Sequence, residues 1–177
     1  MQHQVFHGLE TKYCAFGEDM ALKGGTIEGY ASVFGLADQG GDVVAPGAYQ
    51  GALKAAQAPV RMLWQHDPTQ PIGVWDEVCE DARGLYVRGR LLTEVQRGRE
   101  ALALLEAGAI DGLSIGYRTK KAEARAAGRT LLEIELWEVS VVTFPMLPQA
   151  RVSTSEGDTL AQELTATFAA VREAMVQ

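Results

Sequence analysis

Three side chains of this chain could together carry out nucleophilic acyl transfer: His66, Ser114 and Glu138. In that chemistry a serine hydroxyl attacks an acyl carbon, an imidazole takes the hydroxyl proton, and a carboxylate fixes the tautomer of the imidazole. Each residue taken singly also has a structural interpretation. His66 is compatible with a satisfied core histidine and Ser114 with a serine in a tight strand crossing. Glu138 is compatible with a salt bridge to Arg118 or Arg129.

His66 is the only histidine outside the first seven residues, and the sequence before it alternates as a strand does. At the two-residue period of a strand, one face carries Val60, Met62, Trp64 and His66. We expect Asp67-Pro68 to end that strand, since proline has no backbone N–H for a ladder. The pattern therefore predicts an imidazole at the end of an apolar strand face.

Ser114 lies in Gly112-Leu113-Ser114-Ile115-Gly116, which matches the G-x-S-x-G spacing of the α/β-hydrolase nucleophile elbow. That fold is excluded, because its histidine follows the serine and this chain has no histidine after His66. On a strand, Gly112, Ser114 and Gly116 share one face. Positions without side chains would let a substrate backbone approach Oγ closely.

Glu138 lies in the stretch from Arg129 to Thr143, which we predict as one long strand or two in succession. By strict alternation an apolar face carries Leu132, Ile134, Leu136 and Glu138. A carboxylate on such a face needs a partner, because its desolvation is costly, and His66 is the partner this pattern suggests. A β-bulge would reverse the alternation and weaken this argument. The chain order His, Ser, Glu differs from that of chymotrypsin-like and subtilisin-like enzymes.

The elements that must position these residues are mostly strands. We predict a strand from Thr26 to Phe34, a short helix from Pro46-Gly47 to about Ala56, a strand pair over Gly73 to Cys79 and Leu85 to Leu91, a helix over 94–107, a strand from Gly112 to Thr119, and a charged connector from Lys120 to Gly128. Thr93 and Gln96 have the spacing of a helix start. Ser155 and Asp158 have it too, and they precede an amphipathic helix predicted within the tail 153–177.

Composition narrows the class of partner. The chain has 177 residues, a formal net charge of −7 and no basic run, which argues against nucleic acid or an anionic membrane surface. Cys14 and Cys79 are isolated thiols, compatible with a reducing cytoplasm. One histidine and two scattered cysteines make a poor metal site, so we expect no metal and no cofactor. We also expect no membrane-spanning or secretory segment.

Six motifs in fixed order resemble one family. They are Glu28-Gly29-Tyr30-Ala31-Ser32-Val33-Phe34, Pro46-Gly47-Ala48-Tyr49, Leu63-Trp64-Gln65-His66-Asp67, Pro71-Ile72-Gly73, Gly112-Leu113-Ser114-Ile115-Gly116-Tyr117 and the run from Leu136 to Pro145. This set resembles the prohead (capsid maturation) serine proteases of tailed phages and phage-derived particles, which are distantly similar to herpesvirus assemblins. By that resemblance His66 is the general base, Ser114 the nucleophile and Glu138 the third member.

The resemblance implies a mainly β fold, a compact antiparallel barrel of about six to eight strands flanked by helices, with a C-terminal helix. The resemblance covers roughly Gly25 to Arg151, which we take as a protease domain over 25–152. Residues 1–24 show no hydrophobic period, so we expect a loosely ordered arm there, and apolar residues at helical spacing predict a helical tail over 153–177. The implied function is a serine endopeptidase, working as a homodimer inside the immature capsid in the host cytoplasm. It would cleave scaffold or the scaffolding segment of the major capsid protein, and commonly itself. Two alternatives stay open: a non-catalytic capsid-assembly module, and a serine esterase acting on small acyl groups.

Overall fold

The computed structural model describes residues 10–15, 21–55 and 59–144, which form nine strands and two helices. In chain order the elements are β1 Glu10–Ala15, β2 Ala21–Lys23, β3 Thr26–Val33, β4 Val43–Val44, α1 Gln50–Ala55, β5 Arg61–Trp64, β6 Asp67–Glu80, β7 Gly84–Leu91, α2 Gln96–Glu106, β8 Gly112–Ala124 and β9 Arg129–Val142. The helix predicted within the tail 153–177 lies outside the described residues. None of the described helices is long and apolar enough to cross a membrane.

The strands form one sheet in the order β1-β8-β9-β5-β6-β7-β3-β2, with β4 paired to β9 outside that path. The sheet curls into a half-barrel, so the predicted mainly β fold class is confirmed. Most neighbouring strands are antiparallel, but β5 and β4 run parallel to β9. Strand β9 therefore lies between β8 on one side and β5 on the other, which brings three distant parts of the chain side by side.

The core lies against one face of this curled sheet. Alternating residues of the strands supply most of it, including Ile27, Leu85, Val87, Ile115 and Val139, each buried. Helix α2 adds Ala101 and Leu105, and packs on β6 and β7. Burying this apolar surface is the main term that stabilises the sheet.

Several local predictions hold. The strand predicted from Thr26 ends one residue earlier than expected, and the pair over Gly73 to Cys79 and Leu85 to Leu91 is an antiparallel hairpin. The stretch from Arg129 is one long strand, β9. The glycine-containing turn between β6 and β7 was predictable because side-chain alternation begins directly beside it.

Three local predictions are wrong. Strand β6 begins at Asp67 and contains Pro68 and Pro71, and the register of its pairing with β5 shifts beside Pro71, where a missing N–H is tolerated. Helix α2 has Val95 as its N-cap without a side-chain cap bond, so the helix start proposed at Thr93 is not used. Strand β8 continues to Ala124, through most of the predicted charged connector.

Candidate active site

His66 lies in a two-residue turn, not on a strand face as the alternation predicted. Trp64 pairs with Asp67 across the hairpin, and Gln65 and His66 between them have φ of 52° and 62°. Two consecutive positive φ values are typical of a type I′ hairpin turn, which usually contains asparagine or glycine. The chain therefore holds two larger residues in a left-handed conformation that costs free energy.

Hydrogen bonds to the end of β9 hold this turn. The Gln65 backbone N–H donates to the Val141 carbonyl at 3.0 Å. The Gln65 side-chain amide donates to Thr143 Oγ1 at 2.5 Å and accepts the Thr143 N–H at 3.3 Å. The His66 N–H donates to Ser140 Oγ at 3.1 Å. The turn is thus fixed over β9, and the imidazole is directed toward the neighbouring strand.

Ser114 lies on β8 directly opposite Ser140 on β9, and both residues are fully buried. Its chain neighbours Leu113 and Ile115 belong to the hydrophobic core, so the serine belongs to the other face of the strand. That arrangement agrees with the alternation expected from the sequence. Packing of Leu113 and Ile115 fixes the strand, and with it the position of the Ser114 hydroxyl.

A β-bulge at Trp137 decides which way Glu138 points. Gly116 pairs with Glu138 while Tyr117 pairs with Leu136, which leaves Trp137 as the extra residue on β9. Glu138 therefore shares a face with Ser114, and Leu136 does not. Leu136 and Glu138 thus lie on opposite faces, and the prediction that they share one apolar face is wrong. Glu138 is nevertheless buried, with 6% of its surface exposed.

Gly116 provides the space that Glu138 occupies. A Cβ built on Gly116 would overlap Oε1 of Glu138 and lie 2.8 Å from its Cγ and Cδ. Real Cβ atoms do not make such contacts, so the carboxylate takes the volume that a side chain at 116 would need. Gly116, two residues after the serine, thus leaves room for the acid of this site.

The three residues predicted to be catalytic form one continuous chain of hydrogen bonds. His66 Nδ1 lies 2.5 Å from Glu138 Oε1, and His66 Nε2 lies 2.6 Å from Ser114 Oγ. In the neutral imidazole Nδ1–H would donate to the carboxylate, leaving Nε2 to accept the serine proton. The His66 and Glu138 side chains are 15% and 8% exposed, so water screens their interaction weakly.

The nearby arginines have other contacts. The Arg118 guanidinium lies 5.1 Å from the centroid of the Trp137 ring, and Arg129 pairs with Asp42 at 2.5 Å. A salt bridge between Glu138 and an arginine was one interpretation of the sequence. In the structure the Glu138 carboxylate contacts His66 instead.

Asp67 is the acid next to His66 in sequence, but its carboxylate serves its own turn. Hydrogen bonds from the Thr69 hydroxyl and N–H, at 2.6 and 2.8 Å, lower the pKa of Asp67.

Among the described residues no group of three or more His, Cys, Asp or Glu side chains is arranged to hold a metal ion.

Ser140 is the residue that sequence reasoning missed. Its hydroxyl donates to Glu138 Oε2 at 2.6 Å while it accepts the His66 N–H. It follows Glu138 by two residues on the same strand, so it had to share the face of Glu138. That spacing is a usable signal, but serine on a strand face is common and does not by itself indicate a functional site.

Comparisons with known proteins point in one direction. The sequence matches the family described as "Caudovirus prohead serine protease" over residues 16–163. It is 38% identical over 152 residues to the "Prohead protease" of Enterobacteria phage HK97, covering 84% of this chain and 65% of that protein. It is 32% identical over 120 residues to the "Capsid polyprotein" of Pseudomonas phage PAJU2, covering 63% of this chain and 17% of that protein. The chain thus spans less than two thirds of either relative.

The fold resembles a solved structure as well. The bacteriophage T4 capsid assembly protease superposes with a TM-score of 0.63 at 17% identity, covering 76% of this chain and 96% of that one. At this low identity the likeness concerns the fold.

Proposed function

Because this chain belongs to the caudovirus prohead serine protease family, we propose that it is a serine endopeptidase with Ser114 as nucleophile, His66 as general base and Glu138 as the orienting acid. The observation that carries this proposal is the line of two hydrogen bonds from Glu138 through His66 to Ser114. Ser114 and Glu138 lie on two neighbouring strands, β8 and β9, and His66 lies in a turn that hydrogen bonds hold over the end of β9.

The geometry supports a two-stage hydrolysis. The Ser114 hydroxyl oxygen attacks the carbonyl carbon of a peptide bond as its proton moves to His66 Nε2. The imidazolium gives that proton to the leaving amine, and the carbon–nitrogen bond breaks to leave an ester on Ser114. Water then attacks the ester with His66 again as base, which releases the acid and restores the serine. In both stages Glu138 stabilises the imidazolium through Nδ1–H.

The substrate we propose is a polypeptide of the immature capsid: the scaffold, or the scaffolding segment of the major capsid protein, and also this chain itself. A matching segment in a relative named a capsid polyprotein supports a connection to capsid proteins. We further propose a homodimer acting inside the immature capsid within the host cytoplasm, with residues 25–152 as the protease domain. The tail 153–177 would be a tether or a removable piece, and residues 1–24 an N-terminal arm that includes strands β1 and β2 of the sheet.

Co-expression with the major capsid and scaffold genes of the same locus tests the proposal. Wild type, Ser114→Ala and Ser32→Ala are compared by intact mass. Ser32 is a matched control, because it is a buried strand serine whose hydroxyl has no hydrogen-bond partner among the described residues. We expect shortened capsid or scaffold chains with wild type and Ser32→Ala, and full-length chains with Ser114→Ala.

Two results would overturn the proposal. If shells assemble and all three variants leave every chain intact, the protein is a capsid-assembly module without catalysis. If a fluorophosphonate labels Ser114 but no polypeptide is cut, the protein is an esterase for small acyl groups.

A further inference from the structure

The hydroxyl of Ser140 joins two members of the site at once. It donates to Glu138 Oε2 at 2.6 Å and accepts the backbone N–H of His66 at 3.1 Å. Ser140 is fully buried, and it lies opposite Ser114 on β8 and opposite Leu63 on β5. It therefore lies at the point where the three strands of the site meet.

A hydroxyl is suited to this position because it can donate one hydrogen bond and accept others. The hydroxyl donates its one proton to Oε2 of Glu138, and Oε1 of the same carboxylate is directed at His66 Nδ1. Its lone pair is used on the His66 N–H, which helps to hold the left-handed φ of 62° at that residue. Removing the hydroxyl would leave the part-buried His66 N–H and Oε2 of Glu138 without these partners.

We propose that Ser140 is a positioning residue that fixes the orientation of Glu138 and the backbone of His66 together, and so keeps the imidazole proton on Nδ1. This inference rests on the proposed serine peptidase function. It goes beyond it in assigning a fourth residue, which acts through two others and does not touch the substrate. A merely structural serine would affect stability without affecting the imidazole.

The test measures the imidazole directly. Protein labelled with ¹⁵N-histidine has only three histidines, His3, His7 and His66, so a His66→Gln sample identifies the signals of interest. Spectra are recorded at alkaline pH, where an ordinary imidazole is neutral. Wild type and the control Ser32→Ala should show His66 mainly as the Nδ1–H tautomer. Ser140→Ala should show a mixture of both tautomers.

The same variants are compared for the rate at which a fluorophosphonate labels Ser114. We expect Ser140→Ala to be roughly 10- to 100-fold slower, the loss typical of a hydrogen bond to a charged group. Ser140→Thr keeps the hydroxyl and should recover most of the rate. Ser140→Cys keeps the volume with a weaker donor and should be intermediate. It also serves as the test variant if Ser140→Ala does not fold.

The outcomes separate the two proposals. If Ser140→Ala or Ser140→Cys keeps the wild-type tautomer and labelling rate, the positioning role is wrong and the peptidase proposal is unaffected. If neither the wild type nor the control is labelled and neither cuts any capsid or scaffold chain, the proposed function fails. The ¹⁵N spectra still decide whether Ser140 positions the imidazole in that case.

Discussion

Replacing Gly116 by alanine adds one methyl group at the place that Glu138 occupies. The added Cβ would overlap Oε1 and lie 2.8 Å from Cγ and Cδ of Glu138. The φ of Gly116 is not in the left-handed region, so alanine is compatible with the backbone there. The three atoms nearest to the added methyl group all belong to the Glu138 side chain.

Either the strands or the carboxylate must move. Shifting packed strands costs about 1–3 kcal/mol. Moving the carboxylate breaks its hydrogen bonds to His66 and Ser140, each worth about 1.5–3 kcal/mol as bonds to a charged group. We expect the carboxylate to move, because it is the end of a flexible side chain, and the free energy of unfolding to fall by about 3 kcal/mol, the lower value for the loss of both bonds. We expect fluorophosphonate labelling of Ser114 to slow by a factor on the order of 10³, since His66 loses its orienting acid.

The control is Gly51→Ala in α1, where the added Cβ would have an ordinary contact 3.6 Å from Glu133 Oε1. Alanine in a helix should stabilise the protein by about 0.5–1 kcal/mol and leave labelling unchanged. Urea unfolding and time-resolved intact mass give the two quantities.

A double-mutant cycle identifies the cause. In a Glu138→Ala background the methyl group at 116 has room, and its cost should fall below about 0.5 kcal/mol. If the cost is the same in both backgrounds, the methyl group conflicts with something other than the carboxylate. If Gly116→Ala is labelled as fast as the wild type, Glu138 does not orient His66 from this position. Either result refutes the reasoning.

Three further predictions concern single groups. Glu138→Gln keeps the shape of the side chain but can donate to Nδ1 and favour the wrong tautomer, so labelling of the serine should slow by roughly 10³- to 10⁴-fold at nearly unchanged fold by circular dichroism; a loss under tenfold would contradict the role. The Asp81 carboxylate accepts the Tyr30 hydroxyl and raises the pKa of Tyr30 from 10.0 to about 12, so this bond contributes stability below pH 10 that is lost as the pH rises to about 12. Asp81→Asn should lower the pKa of Tyr30 toward its ordinary range, as followed by tyrosinate absorbance at 295 nm. Asp42→Ala removes the acceptor for the backbone and guanidinium of Arg129, and urea unfolding should show a loss of about 2–3 kcal/mol; a change below 0.5 kcal/mol would mean that solvent replaces this partner.

The strands were predictable because side-chain alternation is a local property. The alternation around Ser114 assigned it to the face opposite Leu113 and Ile115, and the structure agrees. The turn at His66 was not predictable in the same way, since Gln65-His66 lacks the asparagine or glycine that marks a type I′ turn. The bonds that hold it come from Ser140 and Thr143, more than 70 residues away in the sequence.

The prolines misled for a related reason. Pro68 and Pro71 usually end strands, but β6 accommodates both at its irregular pairing with β5. The sequence shows that each proline lacks a backbone N–H donor. It does not show the register in which the partner strand pairs. The boundary of β6 is therefore set by tertiary pairing that no local window includes.

Glu138 shows how a residue can be identified by an argument whose geometry is wrong. The alternation assumed Leu136 and Glu138 on one face, and the bulge at Trp137 separates them. The prediction of its partner was still correct, because the desolvation of a buried carboxylate is costly without a partner and the His66 imidazole was available. The bulge gives Glu138 the face of Ser114, Gly116 leaves the space for it, and Ser140 occupies its second oxygen. The acid of this site is thus defined jointly by a bulge, a glycine and a serine, so variants at both Gly116 and Ser140 should alter the orientation of the His66 imidazole by displacing Glu138.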